Sequence, residues 1–198
     1  MNIDRLSLEV RGQRGPAVVD RILAATLSLL TERGYGFSVD EVARAAEVNK
    51  TTIYRRWRTK PVLVAAAIER LAEVEIPIPK TDSPLADLRT LVQLVGASLN
   101  SNVGRQAIRS TIAASAEDPE ITEIARQFLT NRYHVATEII ERCIAEGSIR
   151  SSVDPVLMLK AIVNPLHLHV LLGGVIDDKM INGLIDLVLH GAQSASLT

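Results

Sequence analysis

Apolar residues recur every three or four positions along most of the chain, which is the spacing of one face of an α-helix. Proline, serine and aspartate residues that suit a helix start precede these stretches, and glycines follow several of them. No long stretch alternates apolar and polar residues, as a half-buried strand would, and no long unit repeats. The hydrophobic pattern therefore predicts an all-α protein.

Two prolines, Pro77 and Pro79, divide the pattern into two parts. Proline lacks a backbone N–H and disrupts a helix interior, so residues 76–82 are predicted to form a linker. We therefore predict two domains: residues 1–75 and a larger helical domain, residues 76–198.

The boundaries of the helices follow from the same signals. In the first domain, one helix is predicted to begin near Pro16 and to end at Gly34, and another follows the cap residue Thr59. In the second domain, five helices are predicted, at residues 84–100, 103–116, 119–146, 155–172 and 178–190.

Residues 38–60 read as two short helices joined by a tight turn, followed by the start of a third helix. Ser38 is a good N-cap, and Glu41 three residues later completes a capping box. The turn falls at residues 47–49, and the second helix is predicted at residues 49–57. Ile53 and Trp57 are four positions apart, so they share the face that packs inward.

The other side of the second helix is rich in positive charge and hydroxyl groups. Between residues 50 and 60 there is no acidic residue, and the basic and hydroxyl side chains are Lys50, Thr51, Thr52, Tyr54, Arg55, Arg56, Arg58, Thr59 and Lys60. Such groups attract phosphates and bond base edges, and a bare helix fits the major groove of DNA. The pattern predicts a DNA-binding helix-turn-helix, and the alternative is a helix pair whose charges only face solvent.

The stretch resembles the DNA-binding signature of the TetR family of bacterial transcriptional regulators. The shared features are Ser38, Val42-Ala43, Val48, Tyr54, Trp57 and Thr59-Lys60. The departures are Glu47 for the usual Gly, Asn49 for Ser, Thr51 for a small residue, Trp57 for Phe and Pro61 for an acidic residue.

The resemblance implies an N-terminal three-helix helix-turn-helix domain, followed by a larger helical domain that binds a ligand and dimerises. We expect base contacts from Lys50, Thr51, Thr52 and Arg55. We expect phosphate contacts from Ser38, Tyr54, Arg56 and Lys60. The polar N-terminal arm, with Arg5, Arg11 and Arg14, is either a disordered terminus or a segment that touches the same DNA.

The charge distribution fits this division of labour. Residues 1–70 carry 12 Lys and Arg against 8 Asp and Glu, a balance of +4, whereas residues 71–198 carry 10 against 15, a balance of −5. No apolar run is long enough to span a membrane, and no apolar signal region opens the chain. We therefore expect a cytoplasmic protein, and its single Cys143 excludes an intrachain disulfide.

The last two predicted helices are unusually apolar, so they are either buried within the domain or form a dimer seam. The family resemblance favours the seam, a four-helix bundle shared by two chains. Polar groups inside apolar helices mark possible ligand contacts, and our candidates are Tyr133, His134, Asn164 and His167. The alternative is that these side chains find ordinary hydrogen-bond partners or face the seam.

An enzymatic role is not expected. His167 and His169 are two positions apart, so a helix sends them to different faces and they cannot bind one metal well. No glycine-rich phosphate loop or nucleophile elbow is present, and we predict no cofactor, no metal and no catalytic residue.

The sequence and the resemblance together predict a TetR-like repressor that binds a palindromic operator as a homodimer and is released by a small hydrophobic effector. An activator, or a regulator without a ligand, shares every DNA-binding expectation. The other alternative is an all-α small-molecule carrier or enzyme without sequence-specific DNA binding.

Overall fold

The structure, a computed structural model, describes the backbone of residues 3–192 and the side chains of residues 15–191. Within these residues the chain forms nine α-helices, one short 3₁₀ helix at Gly34–Gly36 and no strand. The helices are α1 (Ile3–Arg33), α2 (Val39–Ala45), α3 (Lys50–Tyr54), α4 (Lys60–Glu75), α5 (Pro84–Asn100), α6 (Asn102–Ser115), α7 (Pro119–Ala145), α8 (Pro155–Leu171) and α9 (Asp178–Ala192). The all-α fold class is confirmed.

Most helix boundaries agree with the sequence prediction because the local signals are strong. Asp118 caps α7 and Asp154 caps α8, each by accepting hydrogen bonds from backbone N–H groups of the first turn. Gly147 and Gly173 follow α7 and α8 with φ of +84° and +94°, a conformation that favours glycine.

The start of α1 was predicted wrongly. The helix begins at Ile3, and Pro16 lies inside it rather than at its start. A proline removes one hydrogen bond of the helix but does not prevent a helix on its N-terminal side, and the preceding residues include several good helix formers. Met1 and Asn2 lie outside the described residues, as do the side chains of Arg5, Arg11 and Arg14, so the expected contact of this arm with DNA stays a prediction.

The described side chains form two hydrophobic cores. The first core is formed by α1, α2, α3 and α4 around Ile22, Ile53 and Leu63, and Ala107 of α6 packs into it. The second core joins α5, α7, α8 and α9, with Ile76 and Ile78 of the linker packed against it. We keep the division at residue 75 as a proposal, which this grouping supports.

Two hydrogen bonds fix the end of α4 to the second core. Ser98 of α5 donates to the Glu75 carboxylate (Oγ to Oε2, 2.6 Å), and Arg132 of α7 donates to the Ile76 carbonyl (Nη2 to O, 2.8 Å). Therefore α4 packs in the first core but ends on the second. Within residues 3–192, no helix combines the length and the apolar character that a membrane span requires.

A buried acidic residue, Asp87, joins the linker to α5 and α7. Its side chain is 2% exposed and pairs with Arg142 of α7. It also accepts from the Thr81 backbone N–H at 2.9 Å and from the Thr81 hydroxyl at 2.7 Å. Burial alone raises the pKa of the Asp87 carboxyl, but the hydrogen bonds from Thr81 and Arg142 outweigh it, and the pKa lies below its ordinary value.

We expect Asp87→Asn to lower the urea midpoint of unfolding at pH 7, because it leaves the Arg142 guanidinium without its buried partner. A carboxyl with a lowered folded-state pKa stabilises the protein above its unfolded pKa of about 3.9, and the stabilisation is lost as the pH falls through the folded value. Below about pH 4, the stability of the variant should therefore fall less steeply with decreasing pH than that of the unaltered protein.

The exposed Asp82 supplies the control, since Asp82→Asn removes one carboxyl from the same segment without touching the pair. Equal urea midpoints for the two variants across the pH series would contradict a stabilising role for the Asp87 pair.

Candidate DNA-binding surface and adjacent cavity

The helix-turn-helix is formed by α2 and α3. The predicted capping box is present at the start of α2: the Ser38 hydroxyl accepts from the Glu41 N–H at 3.3 Å, and the Glu41 carboxylate accepts from the Ser38 N–H at 2.8 Å. Val42, Ala43 and Ala46 are buried. The capping box stabilises the start of α2, and the three buried side chains pack it into the first core.

The turn between the two helices contains a strained residue. Glu47 has a φ of +55°, in the left-handed region, and it is exposed. The next residue closes the turn, because the Val48 N–H donates to the Ala43 carbonyl at 2.9 Å. The turn therefore has the backbone shape for which the family signature uses glycine, although this chain carries glutamate there.

The second helix of the pair, α3, is the candidate recognition helix, and it is shorter than predicted. It spans Lys50–Tyr54 rather than residues 49–57, and Asn49 stands at the cap position without a side-chain hydrogen bond. The backbone nevertheless continues in a turn, since the N–H groups of Arg56 and Trp57 both donate to the Ile53 carbonyl at 2.9 Å. Ile53 and Trp57 are consequently both buried, as their spacing predicted.

The candidate DNA-contacting side chains lie mostly on the outer side of this segment. The exposed ones are Ser38, Lys50, Thr51, Tyr54, Arg55 and Arg56, and Thr52 is half-buried. Lys50 forms an ion pair with Asp40 of α2 at 2.8 Å, which raises the pKa of its ammonium, and it lies 5.7 Å from the centre of the Tyr54 ring. The surface presents hydroxyl and cationic groups together.

Lys60 is placed differently from the other basic residues. Its ammonium donates to the carbonyls of Tyr35 and Phe37, the latter at 2.7 Å, and lies 4.6 Å from the centre of the Phe37 ring. Burial lowers the pKa of this ammonium. In the described conformation Lys60 therefore connects the start of α4 to the segment that precedes α2, and its phosphate contact stays a prediction.

Thr59 caps α4 as predicted, because its hydroxyl accepts from the Val62 N–H at 3.4 Å. The same hydroxyl donates to the Glu120 carboxylate in the first turn of α7 at 2.8 Å. This contact joins the residues just after the recognition helix to the C-terminal part of the chain.

A cavity of about 440 Å³ lies between α4, α6, α7 and α8. Its walls are mainly aliphatic and aromatic, for example Ile68 and Leu71 of α4, Ile108 of α6, and Ile124 and Phe128 of α7. Among the described residues that line it, none is Asp, Glu, Lys or Arg. The cavity has the size and the lining typical of a site for a small organic molecule.

Two of the four candidate ligand residues, Asn164 and His167, line this cavity. Tyr133 lies behind them, since its hydroxyl donates to the Asn164 Oδ1 at 2.5 Å, and burial raises its pKa to about 12. The choice of His134 needs correction, because its side chain is exposed and does not line the cavity. Neighbouring residues of a helix point in directions about 100° apart, so inward Tyr133 turns His134 outward.

Sequence reasoning missed most of the cavity lining. The walls include Ala65 of α4, Thr111 of α6 and Tyr35, which come from three separate parts of the chain. Small or apolar residues at helical spacing look the same in sequence whether they line a cavity or fill a core. The run of alanines in α4 was the one available signal, because small side chains leave room beside a helix.

Models of one protein family match both parts of the chain. Residues 78–188 match the family model "Tetracyclin repressor-like, C-terminal domain", and residues 22–67 match "Bacterial regulatory proteins, tetR family". The HTH-type transcriptional regulator AqdR of Rhodococcus erythropolis is 35% identical over 182 residues, covering 90% of this chain and 86% of AqdR. The DNA-binding transcriptional repressor TetR of Mycobacteroides abscessus is 29% identical, covering 89% of this chain and 94% of that protein.

Solved structures show the same fold. The TetR family transcription regulator SCO0332 superposes with a TM-score of 0.75 at 24% identity, over 89% of this chain and 99% of that chain. The fatty acid degradation regulator FadR from Bacillus halodurans superposes with a TM-score of 0.68 at 16% identity, over 88% of this chain and 99% of that chain.

We expect Glu47→Gly to raise the free energy of unfolding by roughly 0.5 kcal/mol, because relief of about 1–2 kcal/mol of left-handed strain is partly offset by the greater freedom of glycine in the unfolded chain. Urea titration measures the change. Glu47→Ala is the matched control, since alanine removes the same charge but keeps the strain. An equal gain in both variants would show that charge, not backbone shape, limits stability here.

Proposed function

The chain belongs to the TetR family of bacterial DNA-binding transcriptional regulators, and on that premise we propose that it is a homodimeric repressor released from a palindromic operator by a small hydrophobic effector. The observation that carries the proposal is the position of α4. This helix begins at Lys60, shortly after α3 ends at Tyr54, and it forms one wall of the apolar cavity.

The proposal that the chain recognises an operator rests on the exposed cationic and hydroxyl side chains of α3 and its neighbouring residues. We propose that Lys50, Thr51, Thr52 and Arg55 read base edges, and that Ser38, Tyr54, Arg56 and Lys60 contact phosphates. Two of the cationic groups have protein partners to exchange on binding, since Lys50 pairs with Asp40 and Lys60 donates to two carbonyls. Such exchange would make part of the affinity depend on rearrangement of the free protein.

The dimer step rests on the apolar surface near the end of the chain. Large apolar side chains in α8, in the segment that follows it and in α9 are between 64% and 79% exposed, namely Leu157, Leu172, Val175 and Leu187. A second copy of the chain would cover them. Because Asn164 and His167 line the cavity, they are assigned to the effector rather than to the seam.

The effector step rests on the shared walls of the cavity. A ligand that fills it contacts Ala65, Ile68 and Leu71 of α4, and also Tyr35, whose carbonyl accepts from Lys60. Movement of α4 would shift α3, because Thr59 and Lys60 at the start of α4 lie only a few residues after the end of α3. A bound effector would then favour a conformer in which the two recognition helices no longer match the operator spacing.

The family assignment weighs against the alternative of a small-molecule carrier or enzyme, because the family consists of transcriptional regulators. We propose that the protein acts in the cytoplasm, where operator DNA is accessible. Deletion of the gene should raise expression from a reporter behind the operator, whereas a fall would identify an activator.

DNA selection from a random library should enrich a palindrome that binds two chains. Arg55→Ala should weaken that complex by about 1–3 kcal/mol and relax the base preference at one position, because a base contact is lost. Arg56→Ala should weaken binding to all sequences alike and reduce the salt slope by about one, because a phosphate contact is lost. Binding titrations at two salt concentrations measure both effects.

Arg150→Ala is the matched control, since this arginine is exposed and lies far along the chain in the loop before α8. Weak, salt-sensitive binding without an enriched sequence would overturn the regulator mechanism. One chain per palindrome would overturn the dimer.

With the operator in hand, apolar small molecules should release it from the protein. Ala125→Phe, which fills part of the cavity from α7, should weaken the response to any such effector by about tenfold or more, measured relative to the variant's own affinity for the operator without effector. Ala113→Phe on the exposed side of α6 adds the same bulk outside the cavity and should respond normally. Effectors that act equally on both variants would place the effector site elsewhere.

A further inference from the structure

Asn164 and His167 of α8 form a polar edge of the cavity. These residues are three positions apart on α8, so they lie on one face with about 5–6 Å between their Cβ atoms. Both line the cavity, and no charged side chain among the described residues lines it with them. The other residues of the lining with polar side-chain atoms are Tyr35, Ser98, Thr111 and Ser115. Asn164 and His167 stand together on one helix, so this pair can bind two neighbouring polar atoms of one ligand.

The contacts of His167 fix which ring nitrogen carries the proton. Its Nδ1 lies 3.1 Å from the Val163 carbonyl oxygen, four residues earlier in α8. A carbonyl can only accept, so Nδ1 is the donor and Nε2 of the neutral ring is an acceptor. Burial lowers the pKa of His167, which keeps the ring neutral near pH 7. Among the described residues, nothing donates to Nε2.

The contacts of Asn164 fix the opposite role. Its Oδ1 is occupied by the Tyr133 hydroxyl, which donates to it at 2.5 Å. Burial keeps that hydroxyl protonated, with a pKa raised to about 12. The Nδ2 group of Asn164 has no acceptor among the described residues and is left as a donor. Tyr133 therefore acts as a positioning residue that does not itself line the cavity.

Thr111 of α6 contributes a further polar group to the lining. The Thr111 hydroxyl is buried and makes no well-formed hydrogen bond among the described residues. It lies close to the Tyr35 hydroxyl, whose pKa is raised by burial and lowered in part by Thr111. A buried hydroxyl without a partner is destabilising, so a ligand that bonds it gains affinity.

We infer that the cavity selects an uncharged molecule with an apolar body and a polar end that carries a donor and an acceptor side by side, the arrangement of a lactam or other cyclic secondary amide. The amide N–H would donate to His167 Nε2, and the amide carbonyl would accept from Asn164 Nδ2. The inference deepens the proposed effector role of the cavity and rests on it.

The same contacts disfavour charged ligands. A carboxylate would enter an apolar space without a countercharge and would place its oxygens against the lone pair of His167 Nε2. An ammonium would likewise lack a carboxylate partner among the described lining residues. A lactone offers the acceptor but no donor, so Nε2 would remain unpaired.

Calorimetric titration of the purified chain with a matched ligand series tests the inference. The probes are a δ-lactam that bears a hexyl chain, its N-methyl derivative, the δ-lactone of the same skeleton and the open-chain carboxylic acid. We expect the lactam to bind about tenfold more tightly than the lactone or the N-methyl lactam, because each lacks the donor for Nε2. The carboxylic acid should bind most weakly at pH 7.

His167→Phe should abolish the preference for the lactam over the lactone while leaving lactone affinity within about threefold, because only the acceptor is lost. Asn164→Leu should weaken lactam and lactone alike, because both use the carbonyl. His134→Gln is the control, since His134 is exposed outside the cavity. If either cavity variant fails to fold, the ligand series on the unaltered chain decides the question.

Equal affinities for lactam, lactone and N-methyl lactam would overturn the inference, as would preferential binding of the carboxylate. Such results would leave the effector proposal standing if the bound probes still released operator DNA. Binding of none of the four probes would also overturn the inferred ligand class, and the operator-release screen would then decide separately whether the cavity serves any effector.

Discussion

The simultaneous packing of α4 against both cores is the constraint on which the rest of the structure depends. Leu63, Val64 and Ala67 bury one side of α4 in the first core, whereas Ile68 and Leu71 face the cavity. The C-terminal end is fixed to α5 and α7 through Ser98 and Arg132. Because close-packed interiors transmit displacement, any change in the cavity walls must be taken up by α4 or by its contacts.

In the proposed mechanism, the polar contacts at the start of α4 determine how that displacement would reach the DNA-binding surface. The Thr59 hydroxyl joins α7 through Glu120, and the Lys60 ammonium holds the carbonyls of Tyr35 and Phe37 just before α2. A phosphate would compete with those carbonyls for Lys60. In the free protein, the Lys60 ammonium therefore makes hydrogen bonds that stabilise the helix-turn-helix. A phosphate contact of Lys60 would have to replace these hydrogen bonds.

Local signals predicted the helices well, because caps and stops are decided by neighbouring residues. Ser38 and Thr59 cap α2 and α4 as predicted, and Asp118 and Asp154 cap α7 and α8 directly before the prolines that open these helices. The start of α1 was missed, because Pro16 weakens a helix without ending it. The cavity was missed except for its polar edge, because its walls join α4, α6 and α7 across long sequence separations. His134 shows the remaining weakness, since it follows the inward-facing Tyr133 in α7 and therefore faces away from the cavity.

The absence of charge from the described cavity lining limits the mechanism of regulation. The DNA-binding face attracts phosphates through charge, and an uncharged ligand changes that attraction very little. In the proposed mechanism, occupancy therefore acts through packing, by changing where α4 lies relative to α6 and α7, so that the position of α3 changes while its charge does not. A ligand that binds the cavity without moving α4 would have no differential affinity for the two conformers and would leave operator binding unaltered.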